Sequence, residues 1–127
     1  MRIDVRRVSD VQADRATVEF SAAPGAATAL WMGPPPAAGD RRDVELELPG
    51  VLTWGIDIQA SSGADSIFEK DGQVHLVGRM QAMGDDGVAQ IRIGDGFVLA
   101  EVVGAAVACP CSVLVTVSPL KVFDTNV

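Results

Sequence analysis

Hydrophobic residues recur at every second position through most of this chain, and that regularity limits what it can fold into. Val44, Leu46 and Leu48 alternate with Glu45 and Glu47, and Leu52, Trp54, Ile56 and Ile58 share one side of the next run. Val74, Leu76, Gly78, Met80 and Ala82 alternate with His75, Val77, Arg79, Gln81 and Met83. Ile91 and Ile93 flank Arg92, and Val113, Val115 and Val117 enclose Leu114 and Thr116. Shorter versions occur at Ile3 and Val5 and at Val18 and Phe20. A period of two belongs to strands with one face on a core. The nearly apolar run Phe97–Val103 reads instead as a central strand covered on both faces. Only Ala100 to Cys109 has helix-favouring alanines, and Gly104 interrupts them.

The turn residues agree with this pattern. Pro49-Gly50 separates two alternating runs, with Pro fixing φ and Gly supplying a positive φ. Asp71-Gly72, Asp86-Gly87 and Gly94-Asp95-Gly96 separate later runs as hairpin signals. Ser21–Ala27, Gly33–Arg41 with its three consecutive prolines, and Ser61–Asp65 read as loops. No internal repeat stands out. With 127 residues, the chain is expected to form one domain over 1–127, long enough to bury a core without disulfides or a metal.

Charge narrows the partners. Seventeen acids against ten bases leave a formal net charge of −7. Nucleic acids and anionic membranes are disfavoured, because Lys and Arg supply the affinity for phosphate. No apolar run is long enough for a membrane-spanning helix, and the alternating start Met1–Arg7 is unlike a signal peptide, so a cytoplasmic location is expected.

No catalytic motif emerges. Cys109-Pro110-Cys111 offers two thiolates where a closed zinc site needs four ligands, and no second cysteine pair exists. The expectation is therefore two inert thiols, no metal and no cofactor. His75 is the single histidine, without a nucleophile motif to serve, and is expected to be solvated or paired across strands. Asp85-Asp86 precedes Gly87 in a turn, where carboxylates cap backbone amides. Two features suit binding instead. Asp43, Glu45 and Glu47 occupy i, i+2 and i+4 of one strand and project from one face, as a row offered to Lys or Arg of a partner. Trp31, just before the prolines, reads either as a local lid or as a partly exposed anchor, and joins the three acids as a candidate partner-binding residue.

From Val74 onward the strand order, the Asp-Gly turn before Val88–Ile93, the glycine-rich turn before Phe97–Val102 and the closing run Val113–Phe123 resemble small OB-type barrels. These include the accessory barrels of oxyanion transport and ABC transporter subunits. The chain lacks an identifiable anion-binding set of Ser and Lys, so no ligand role is carried over. The resulting expectation is an all-β, small antiparallel barrel, OB-like in its second half, with a two-sheet sandwich as the alternative. In function it reads as a non-enzymatic protein-binding module. The most concrete form is a small acidic cytoplasmic inhibitor or immunity protein covering a basic partner such as a toxin domain. The alternative is an OB-like small-molecule or oligonucleotide-binding protein.

Overall fold

A computed structural model describes residues 1–104 and 108–125 and contains twelve strands in one continuous hydrogen-bonded network. They are β1 (Arg2–Ser9), β2 (Arg15–Ala22), β3 (Gly25–Met32), β4 (Arg41–Glu47), β5 (Val51–Thr53), β6 (Ile58–Ala60), β7 (Ser66–Lys70), β8 (Gln73–Met83), β9 (Val88–Ile93), β10 (Gly96–Val103), β11 (Cys111–Val117) and β12 (Lys121–Asp124). Among the described residues no helix is long and apolar enough to cross a membrane. The helix-favouring stretch Ala100–Cys109 begins as β10 instead, and positions 105–107 lie outside the described residues.

Five strands close on themselves. β1, β2 and β3 form an antiparallel meander, β12 runs parallel to β3, β4 pairs with β12, and β4 returns to β1. A meander whose third strand is joined by a parallel fifth, itself paired with the fourth, is the connectivity of an OB-type barrel. The molecule is an all-β small barrel with additional strands.

The sequence placed the OB likeness after Val74, but the closed ring is built from the first four strands and the last. The second half repeats its connectivity. β8, β9 and β10 form the meander, β5 runs parallel to β10, and β11 pairs back to β8. The fifth position is divided there between β5 and β6, joined by a turn in which Trp54 bridges Ile58. The fifth strands are thus exchanged: β5 follows β4 in sequence but joins the second ring, and β12 follows β11 but joins the first.

Residue patterns match once the pairings align them. Ala16, Val18 and Phe20 are buried along β2 as Ala89, Ile91 and Ile93 are along β9. Ala27, Ala29 and Trp31 along β3 correspond to Val98, Ala100 and Val102 along β10. Val122 opposes Trp31, and Leu52 opposes Val102 at the equivalent point. Register slips at Arg6 in β1 and at Gln81 in β8, and such a bulge bends a strand into a barrel wall. No repeat is evident in the sequence because most matching positions share polarity rather than identity, as in Trp31 and Val102.

Local differences from expectation have simple causes. Ser21–Ala27 is no loop: small residues hide a tight hairpin around Ala23-Pro24, with Ser21 paired to Ala26. Ile56 is 79% exposed because Gly55, with φ of 89°, turns the chain out of the strand direction after Trp54. The core is almost wholly aliphatic, with Phe20 and Trp31 as its largest fully buried side chains.

Candidate functional site

β4 and Leu48 just after it leave Val44, Leu46 and Leu48 inside the ring, which sends Glu45 and Glu47 outward. Among the described residues neither glutamate takes part in an ion pair. Asp43 differs. Arg2, directly opposite it on β1, donates Nε–H to Asp43 Oδ1 at 3.0 Å and Nη2–H to Oδ2 at 3.2 Å. That carboxylate also raises the guanidinium pKa of Arg2. The acidic row is present on β4, but its first member serves the β1–β4 seam and the other two face solvent.

Trp31 is not a surface anchor. It is 0% exposed in the first ring, donates Nε1–H to the carbonyl of Pro34 at 2.9 Å, and lies under the Arg42 guanidinium, 5.8 Å from its ring. An indole needs a partner for its N–H when buried, and the proline turn supplies one. The lid is the proline segment, and the tryptophan is the core beneath it.

The run Phe97–Val103 also departs from expectation. Val98, Ala100 and Val102 point into the core, whereas Phe97 is 57% and Leu99 62% exposed. Glu101 sits on the same outward face, and a charge inside an otherwise apolar run was the available signal that one face is solvated.

These features converge. Glu45 and Glu47 on β4, Asp95 in the turn before β10, Phe97 and Leu99 on β10, Phe123 on β12 and Met1 line a cleft of about 540 Å³ where the rings meet. Gly96 allows that approach, since a Cβ there would lie 2.8 Å from the Cβ of Met1. The cleft is lined by both apolar side chains and three carboxylates. It can bury an apolar anchor while offering carboxylates to a neighbouring cation. Phe97, Leu99 and Phe123 are the residues that sequence reasoning missed.

The remaining candidates make local structural contacts. His75 stacks on Phe68 with ring centroids 4.9 Å apart, and its Nδ1 lies 3.1 Å from Thr116 Oγ1 across the β8–β11 pair. Neither Cys109 nor Cys111 is in a disulfide, and burial, then the neighbouring Cys109, pushes the Cys111 pKa up, disfavouring the thiolate. Asp86 Oδ1 accepts the Val88 amide at 3.1 Å, the turn-capping role its position suggested. Among the described residues no three of His, Cys, Asp and Glu group as metal ligands would. No protein-family model, curated protein or solved structure matches the chain.

Proposed function

We propose that this protein is a non-enzymatic binding module that uses the cleft between the two rings to cover a basic protein. One observation carries the reading: exposed Phe97 and Leu99 lie beside Glu45 and Glu47 in a single concavity. Large apolar side chains on an outward strand face are costly to leave in water, and a partner that covers them gains that burial. The carboxylates select for Lys or Arg nearby, and the net charge of −7 speeds the approach of a cationic surface. The most concrete form is a small cytoplasmic inhibitor or immunity protein that occludes a basic active site. The OB-type connectivity supports a second reading, a small-molecule or oligonucleotide site. Glu45, Glu47 and Asp95 on the cleft wall weigh against phosphate there.

The test uses the chain as bait in its native lysate, with mass spectrometric identification, followed by binding kinetics on the purified partner. Glu45→Lys with Glu47→Lys should lower the association rate at least about tenfold and flatten its salt dependence, with stability changed by no more than about 0.5 kcal/mol. Asp43 is left intact because its carboxylate is already paired with Arg2 across the β1–β4 seam. An unchanged association rate in the double variant would place the interface elsewhere.

A further inference from the structure

The two rings present the same strand edge in different states. On β3, the edge facing away from β2 is covered along its length. Leu30 donates its amide to the carbonyl of Leu120, the Thr28 amide donates to the Glu69 carboxylate of β7, and Ile67 of β7 pairs alongside Gly25 and donates to Pro24. β10 is the matching strand of the second ring. Val102 donates to Gly87 on the β9 side, so by alternation Phe97, Leu99 and Glu101 direct their amides and carbonyls to the opposite edge. There β5 pairs only with Glu101–Val103. Among the described residues nothing pairs with that edge at Phe97 and Leu99, which opens into the cleft. Leu99 occupies the position of Thr28, whose amide is satisfied by β7.

We infer that the open edge of β10 receives an extended segment of a basic partner protein, which adds as a strand parallel to β10 and in line with β5. The inference deepens the proposed function and rests on it. The occupant is extended because the equivalent edge of β3 is flanked by extended chain, β7 at Gly25 and β12 from Leu30 onward, both parallel to it, with the Glu69 side chain serving Thr28 between them. Strand addition draws its affinity from main-chain hydrogen bonds and its selectivity from alternate side chains. Here Glu45 and Glu47 call for Lys or Arg on the segment, and Phe97 and Leu99 for an aliphatic neighbour. A second copy of this chain is disfavoured as occupant, since its β10 would bring Asp95 and Glu101 against the same acids.

The probe is a blocked peptide alternating Lys and Val over six residues, compared with the same peptide N-methylated at alternate amides. Binding to the intact protein is read by NMR, together with amide hydrogen exchange. The unmethylated peptide should slow exchange at Phe97 and Leu99 at least about fivefold at saturation. N-methylation should weaken binding at least about tenfold, because it removes the donors a strand needs. Leu99→Pro removes the amide that faces the cleft while leaving the bonds of Val98 and Ala100 to β9, so it should keep its melting curve and lose the peptide. Should that variant fail to fold, the methylated peptide decides alone. Equal binding of the two peptides, or no binding of either, overturns strand addition. The proposed function survives that result if Glu45→Lys with Glu47→Lys still slows association with the captured partner, and falls if it does not. Concentration-dependent dimers that protect Phe97 and Leu99 would overturn the inference by naming the chain itself as occupant.

Discussion

At the level of single residues, the structure divides side chains that look alike in sequence. Trp31 and Phe97 are both aromatic residues in strands near glycine or proline, yet one is sealed and the other bare. Trp31→Ala should cost about 3–5 kcal/mol, the range for emptying a packed aromatic site, measured as a fall in the urea midpoint. Phe97→Ser should leave that midpoint nearly unchanged and weaken partner binding. Asp43, Glu45 and Glu47 were legible as a row because strand periodicity places them. The private pairing of Asp43 with Arg2 was not, since it depends on which strand lies alongside. Two other carboxylates define an acid limit. Arg41 holds the Asp4 carboxyl below its ordinary value, and the Ala37 amide followed by Arg42 does the same for Asp40. A depressed folded pKa contributes stability that is complete above the unfolded value of about 4 and is lost as pH falls through the folded value. Urea midpoints should therefore stay level from pH 7 to about 5 and decline below about 4. The decline should be shallow because the Arg41–Asp4 pair is exposed and the Arg42–Asp40 pair is only partly buried, so solvent screens both.

Among the elements, strands and hairpin turns could be read from the sequence, and their pairing could not. Alternation reports that a strand has a core face, and Asp-Gly pairs report where the chain reverses. Neither carries information on a parallel partner far away in sequence, such as β12 beside β3 or β5 beside β10. The OB likeness is therefore legible where the meander is local, in the second half, and not in the first ring, whose closing strand comes from the far end of the chain. Phe97–Val103 misled for a related reason: apolar side chains on both faces mimic a buried strand, although Phe97 and Leu99 face solvent. The seam between β3 and β7 supplies a test of packing. Gly25 has φ of 153°, and a Cβ added there would lie 2.0 Å from the carbonyl oxygen of Ile67. Gly25→Ala should destabilise by at least about 2 kcal/mol, because a backbone atom cannot rotate aside as a side chain can. Gly50→Ala meets nothing within 4 Å and has only its φ of 69° to oppose it, so about 1 kcal/mol is expected. Paired chemical denaturation curves separate the two mechanisms.

Taken as a whole, the protein is two rings that finish one another. A chain cut between Ser62 and Gly63 yields one fragment with β1–β6 and another with β7–β12. Each then carries the closing strand of the other and lacks its own. Neither fragment alone should show native β circular dichroism, and an equimolar mixture should recover it as a one-to-one complex by light scattering. A folded, monomeric fragment would refute that interdependence. For the same reason the intact chain should unfold in a single transition, with fluorescence and circular dichroism coinciding. The exchanged strands also set an order of events on the ribosome. β4 emerges well before the strand that must lie beside it, and with synthesis at about 5–20 residues per second the wait for β12 is about 4–15 s. Through that interval β3 and β4 stand with bare edges in the nascent chain, long after local hairpins have formed. Ribosome-associated chaperones should therefore engage this small protein for longer than its size suggests.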